Sequence, residues 1–192
     1  ERRNAYYQAQ SRATNRLHRL VERLLDFGRM EAGTFRYRPE TVDLGSLAHS
    51  VIDEFEHIAA MSGHEIRVTV EPELPRVKAD PEALGQALWN LLDNAIKYSP
   101  GRPVVSLEVA REDGSVAILV RDHGLGIPVQ EQKRLFRKFV RGSAAELAQV
   151  KGTGIGLAMV DYIVHAHQGR IRLESVPGEG SAFTILLKVE PT

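Results

Sequence analysis

Three features of the sequence predict an α+β fold, a two-layer α/β sandwich preceded by one long helix. Helix-period and strand-period segments interleave along the chain, and the later strand runs come as hairpin pairs. The opening segment carries a helical stripe with no strand beside it. Such an order predicts a mixed, mostly antiparallel sheet with its helices on one face, rather than a doubly wound parallel sheet.

The opening helix is read from Tyr6 to Glu31. Tyr6, Ala9, Ala13, Leu17, Leu20, Leu24 and Phe27 step by threes and fours, and Val21 and Leu25 widen the stripe. Gly33 supplies a stop. A helix with such a seam needs a partner helix, or else a core of its own domain to pack on. From Phe35 the period changes. Phe35 to Val42 reads as extended and Leu44 to Met61 as an amphipathic helix, and Ile66, Val68 and Val70 alternate as a strand. After a short strand at Val77 to Ala79, Asp80-Pro81 opens a helix with an N-cap carboxylate and a proline in the first turn. It runs to about Tyr98 and stops at Ser99-Pro100-Gly101. Val104 to Ala110 and Val116 to Arg121 flank Asp113-Gly114, a hairpin signal. Gln130 to Phe139 reads as helix and Val140 to Lys151 as a mobile loop. Ile155 to His167 is the last long helix, and Gly169 to Ser175 and Ala182 to Val189 close as a hairpin. The strand pairs are expected to be antiparallel.

The composition narrows the function classes. The 192 residues are 43% hydrophobic and 26% charged, enough for one sizeable domain and an appendage. Lys plus Arg and Asp plus Glu are 25 each, so no basic face invites nucleic acid. With no cysteine, disulfides, thiolate zinc sites and thiol catalysis are excluded, and a reducing, cytoplasmic setting fits. No apolar run approaches the roughly 20 residues of a membrane helix. The chain opens at Glu1 without a methionine and reads as a piece of something longer.

Chemistry concentrates in three places. On the Pro81–Tyr98 helix, Leu84, Ala87, Leu88, Leu91, Leu92 and Ala95 share one face. Asn90, Asn94 and Lys97 fall within about 60° of one another on the opposite side. A solvated face is the plain alternative, but asparagine is a poor helix former and two in a helix centre call for a reason. A carboxamide oxygen is a hard, neutral ligand suited to Mg²⁺, and a lysine one turn on suits a phosphate. Next, Asp122-His123-Gly124-Leu125-Gly126 follows a strand. The aspartate can accept from an exocyclic amino group, and the glycines let backbone approach a flat ligand. Last, Gly152-Thr153-Gly154-Ile155-Gly156-Leu157 opens a helix, where backbone N–H groups and the positive helix end form a phosphate seat. Its spacing is neither G-x-G-x-x-G nor that of a P-loop.

Together these motifs resemble sensor histidine kinases. Gln86 to Pro100 looks like their asparagine box, Asp122 to Gly126 the first glycine box, Phe136 to Arg141 the phenylalanine box, and Gly152 to Leu157 the second glycine box. Leu20 to Gly33 is similar to the end of their second dimerisation helix. The resemblance implies residues 1–33 as the second helix of an incomplete dimerisation and phosphotransfer domain, and residues 34–192 as a catalytic domain of the Bergerat ATPase type. It implies an ATP lid at about 140–151. Asn94 is then the Mg²⁺ ligand, supported by Asn90, with Lys97 and Arg141 on phosphate and Tyr98 at the nucleoside. Asp122 reads the adenine amino group, with the Ser181 hydroxyl near it. The same resemblance places Gly124, Gly126, Ile127, Phe139, Gly152, Thr153, Gly154, Ile155, Gly156 and Leu157 around the nucleotide, with Phe136 and Phe139 anchoring the lid. Related ATPases carry a glutamate where Asn90 stands. An amide cannot act as a base, so slow hydrolysis and transfer to a protein side chain are expected.

The acceptor histidine, normally in a pattern like H-E-[LIF]-R-[TS]-P, is not recognisable here. His64-Glu65-Ile66-Arg67 matches its start, but Val68-Thr69 breaks it and strand residues follow. His18 lacks an acidic neighbour, and His123 sits in the first glycine box. The expected partners are ATP, a response-regulator receiver domain, and a second copy through the dimerisation helices, with no nucleic acid. Two rivals are a non-kinase ATPase of the same fold and a catalytically silent nucleotide-binding or docking module.

Overall fold

The computed structural model describes residues 21–22, 24–148, 150 and 152–189. The chain divides into two compact units, residues 1–36 and 37–192. In the first, residues 24–31 are helical (α1). Gly33, at φ +66°, ends that helix. Its N–H reaches Met30 O at 3.0 Å and the Thr34 N–H reaches Arg29 O at 2.9 Å, the paired bonds of a Schellman cap. Of the predicted seam, Tyr6, Ala9, Ala13, Leu17 and Leu20 lie outside the described residues, while Val21, Leu24 and Leu25 are exposed.

The second unit runs β1 (Glu40–Val42), α2 (Leu44–Met61), β2 (Glu65–Val70), β3 (Val77–Ala79), α3 (Pro81–Lys97), β4 (Val104–Glu112) and β5 (Ser115–Arg121). It continues through α4 (Val129–Gln132), α5 (Ser143–Leu147) and α6 (Gly156–Ala166), and closes with β6 (Arg170–Val176) and β7 (Gly180–Lys188). A five-stranded sheet has the order β2-β4-β5-β7-β6, and β1 pairs with β3 apart from it. The strands pair antiparallel except β2 with β4, which is parallel. That pair departs from the antiparallel expectation because β3 and α3 lie between its strands, and a crossover of that length returns the chain in the same direction.

One sheet face is apolar in registered rows. Val109 faces Ile118, which faces Ile185, and Leu107 faces Val120, which faces Phe183. All six side chains are buried. Helices α2, α3 and α6 cover this face, α2 on β2 and β4, α3 on β4 and β5, and α6 on β6. Leu84, Leu88, Leu91 and Leu92 of α3 and Ile163 of α6 fill the interlayer space without measurable exposure beyond 1%. The Phe55 and Trp89 rings meet edge to face at 4.7 Å between α2 and α3.

Local sequence fixes the helix ends. Asp43 caps α2 by accepting from Ser46 N at 2.9 Å. Asp80 caps α3 through Ala83 N at 3.0 Å, and its second oxygen accepts from Arg38 N at 2.7 Å. The Asp80 N–H donates to His167 Nε2 at 2.9 Å, while His167 Nδ1 donates to Ile163 O at 2.7 Å. The α6 C-terminus is thereby stapled to the α3 N-terminus, with the Tyr37 ring edge-on to His167 at 5.2 Å. Burial, and then the neighbouring Asp80, push the Tyr37 hydroxyl pKa up.

One predicted helix is largely absent. Of Gln130 to Phe139 only the short α4 is helical, and residues 133–138 are turns and bends. Bonds to other segments replace helical ones. Gln132 Nε2 donates to Ile127 O and Ser175 O, each at 3.1 Å, and Phe139, at φ +61°, gives its N–H to Gly154 O at 2.9 Å. Within the segment read as a loop, Ser143–Leu147 forms α5.

Candidate functional site

The glycine-rich turns, the asparagine face of α3 and the start of α6 converge on one end of the helical layer. At the inner end, Asp122 continues β5 opposite Ser181 of β7. Its N–H donates to Ser181 O at 2.8 Å, and its Oδ1 accepts from Gly124 N at 2.8 Å and Ser181 N at 3.3 Å. Asp122 is 6% exposed, and burial raises its pKa, against the two N–H groups that pull it down. Oδ2 has no hydrogen bond among the described residues. The Ser99 hydroxyl, fully buried, meets no hydrogen-bond partner, yet lies near enough to Asp122 to favour its anion.

The glycines here serve close approach within the chain. A Cβ on Gly124 would sit 1.9 Å from Tyr98 O, and one on Gly126, at φ +65°, 2.0 Å from Val176 O. A Cβ on Gly180 would sit 2.1 Å from Asp122 O. The sequence reading gave Gly124 and Gly126 to a flat ligand. In the structure their missing side chains make room for neighbouring backbone, and the turn docks against the end of α3 and the β6–β7 turn. Leu125 N donates to Tyr98 O at 2.9 Å and Gly178 N to Leu125 O at 2.8 Å, which holds both contacts. Ile127, just past the turn, donates its N–H to Ser175 Oγ at 2.8 Å.

At the outer end, Asn90 is 5% exposed and packs against α6. The expected solvated-or-ligand face is therefore covered at this residue. Asn90 Nδ2 donates to Met159 Sδ at 3.5 Å, and its Oδ1 lies 3.9 Å from where a Cβ on Gly156 would stand. Asn94 is half-buried. Lys97 is exposed and ion-paired with Asp93 one turn back, the favourable order along a helix. Helix α6 starts at Gly156 after Ile155 with no side-chain cap and no acidic residue in its first turn. Gly152 and Thr153 are exposed, Ile155 is buried and Leu157 half-buried. A Cβ on Gly152 would lie 3.6 Å from the Tyr98 hydroxyl. Burial raises the Tyr98 pKa, partly offset by the charge of Arg141. Arg141 Nη2 donates to Val150 O, and its Nε is buried without a partner. Phe139 holds the loop neck by its backbone bond to Gly154, while its ring is 66% exposed. The Phe136 ring instead meets Phe183 at 6.4 Å.

His64 lies in the turn between α2 and β2, its ring nitrogens on Ser62 O at 3.0 Å and Ser99 O at 3.3 Å. His123 is exposed. Among the described residues no cluster of three His, Cys, Asp or Glu side chains could hold a metal, and no helix is long and apolar enough to cross a membrane. Ser175 and Gly180 join the site without belonging to any of its sequence motifs, and Ser99 joins it from the end of the 86–100 motif. Glycine in a turn was visible as a residue type, but a strand serine whose role is a cross-strand hydrogen bond carries no sequence signal.

Comparison with known proteins shows the family and the fold. Residues 79–191 match the family described as histidine kinase-, DNA gyrase B-, and HSP90-like ATPase. The sensor-like histidine kinase SenX3 of Mycobacterium tuberculosis is 36% identical over 173 residues, covering 90% of this chain and 42% of that protein. The full-length ShkA structure in complex with AMPPNP superposes with TM-score 0.81 at 28% identity, over 97% of this chain and 39% of that one. The mycobacterial sensor histidine kinase MprB gives TM-score 0.68 at 31% identity, over 81% of this chain and 100% of that one. The fold and site thus define a nucleotide-binding ATPase domain. The chain belongs to the histidine kinase-, gyrase B- and HSP90-like ATPase family, as a catalytic ATP-binding domain of the sensor histidine kinase kind. It spans about two fifths of the length of the SenX3 relative.

Proposed function

We propose that this chain binds Mg–ATP and, within a longer sensor kinase, delivers the γ-phosphoryl group to a histidine and thence to a response-regulator aspartate. The observation that carries the reading is the buried Asp122 carboxylate with a free oxygen, standing at one end of a site whose other end is the uncapped α6 N-terminus. A carboxylate acceptor suits the adenine amino group, and a bare helix start suits phosphate. Asn94 and Asn90 offer neutral carboxamide oxygens, which fit a Mg²⁺ that takes its other ligands from phosphate and water. Bound there, Mg²⁺ supplies neutralisation of charge on the transferring phosphoryl oxygens.

In this reading Asp122 orients the base and Tyr98 closes over the nucleoside. Gly152, Gly154 and Gly156 free backbone N–H groups toward the phosphates. Arg141 leaves Val150 O, and Lys97 leaves Asp93, to reach the terminal phosphate when the lid engages. The Asn90 amide cannot accept a proton from water, so water is not activated and hydrolysis is slow. His64, bonded to two carbonyls in a turn, is not the acceptor, and the chain alone forms no acid-labile phosphate. Homodimerisation falls to the helices that include α1.

Calorimetric titration with AMPPNP, with and without Mg²⁺, beside Asp122→Asn tests the proposal. Micromolar-to-millimolar binding that weakens in the variant supports it. Absence of binding by folded wild-type chain sinks it.

A further inference from the structure

Ser175 lies outside every motif that points to nucleotide, yet it is the most connected hydroxyl near Asp122. Its Oγ accepts from Ile127 N at 2.8 Å, bonds Gly180 O at 2.8 Å and meets Ser181 Oγ at 2.9 Å. A carbonyl only accepts, so the single Ser175 hydrogen goes to Gly180 O. The hydrogen shared by the two serines must then come from Ser181. With that proton committed, Ser181 presents only lone pairs to the space beside Asp122, its cross-strand neighbour on the same sheet face.

We infer that Ser175 is a specificity-determining residue for the purine base, acting through Ser181. The inference rests on the ATP-binding reading above. It makes the base-facing end of the site a pair of acceptors, Asp122 Oδ2 and Ser181 Oγ. Adenine brings an amino group to that edge, and a bridging water can donate to Ser181. Guanine brings a carbonyl oxygen, which meets lone pairs on both sides. A buried mismatch of that kind is costly because neither partner regains its bond to water. Asp122 alone would discriminate. Ser175 removes the proton through which Ser181 could otherwise rescue guanine.

The experiment measures the affinity ratio of AMPPNP to GMPPNP by calorimetry for the chain and four variants, each checked for its melting transition. In Ser175→Ala the Ser181 hydroxyl is free to donate, and the ratio falls by about tenfold. Ser175→Thr keeps the hydroxyl and keeps the wild-type ratio. In the double variant Ser175→Ala with Ser181→Ala the lost discrimination returns, because the freed proton is gone. A merely structural serine would weaken both nucleotides together and leave the ratio unmoved, which overturns the inference. Should the alanine variant not fold, Ser175→Cys fills the same space with a weak donor. An intermediate ratio there supports the assignment, and a wild-type ratio refutes it. Wild-type chain that binds neither nucleotide fails the ATP reading itself, a result distinct from an unchanged ratio.

Discussion

The two ends of the site are built by opposite rules. At the end proposed for the base, Asp122, Ser175, Ser181, Gly124 and Gly180 bond or touch one another at fixed short distances, and the two serines and Asp122 are largely removed from water. At the end proposed for the phosphates, Lys97 and Arg141 are charged side chains engaged within the chain, with Asp93 and Val150 O. The difference follows from what each end must do. A base is recognised by shape and by donors and acceptors set in advance, so that little ordering remains to be done on binding. A triphosphate is held by charges that must move onto it and later release it.

Breaking the preformed end has the largest expected effect. Gly124→Ala sets a Cβ 1.9 Å from Tyr98 O, where only backbone displacement relieves the clash. At least about 3 kcal/mol of stability should go, read as a fall of about 6 °C or more in melting temperature. Nucleotide binding should vanish with it. An alanine variant with native melting and native AMPPNP affinity would show that the turn is soft.

Next comes Asp122→Asn, which keeps the shape and loses the acceptor pair's charge. A hydrogen bond to a buried charge supports about a 10- to 100-fold loss of AMPPNP affinity. The pH dependence has a sign. Burial holds the Asp122 pKa above the ordinary 3.8, so the folded chain keeps this proton more tightly than the unfolded one. Its contribution to stability therefore declines as pH rises from the unfolded value through the raised one. In the proposed site adenine needs the carboxylate, so affinity is expected to fall as pH drops through that same raised value. Asp122→Asn should flatten both slopes, and the comparison of pH titrations of the two proteins checks this.

The same contrast explains what could be read in advance. Helix α2 was legible to the residue, Leu44 to Met61, because its apolar spacing is local. Helix α3 was legible through Asp80-Pro81, and the β4–β5 hairpin through Asp113-Gly114. Motif residues of the site were legible as residue types. Their contacts were not. The Gln130–Phe139 stretch has helical composition, but Gly154 O and Ser175 O, each far along the chain, capture its neighbouring polar groups. Asn90 was placed on an open face because nothing in α3 announces that α6 covers it. Hydrogen-bond partners supplied by distant strands, such as Ser175 for Ser181, are products of register, and register is a property of the whole sheet.

A smaller effect is expected at the phosphate end. Asp93→Ala releases Lys97 from a partly exposed ion pair of the kind worth about 0.2–1 kcal/mol. Melting should barely move, and the ratio of triphosphate to diphosphate affinity should rise by no more than about fivefold. A change of a hundredfold would mean that the pair is part of a preformed phosphate site, and the contrast between the two ends would fail.

The finest test sits at the neck of the proposed lid, where two residues at positive φ are joined by one backbone bond. Phe139 is at φ +61° with its ring 66% exposed, and Gly154 is at φ +70° with a would-be Cβ 2.9 Å from Phe139 Cα. If backbone geometry rather than the phenyl ring holds the neck, the two substitutions act in opposite directions. Phe139→Gly removes a left-handed strain of about 1–2 kcal/mol and loses little packing, offset by glycine's greater chain entropy of about 1 kcal/mol. Melting should stay level or rise by about 2 °C. Gly154→Ala introduces strain and a close contact together and should lower melting by about 3–6 °C. Adenosine affinity should be unchanged in both, because neither residue reaches Asp122. Destabilisation by Phe139→Gly as large as that by Gly154→Ala would return the anchoring role to the ring.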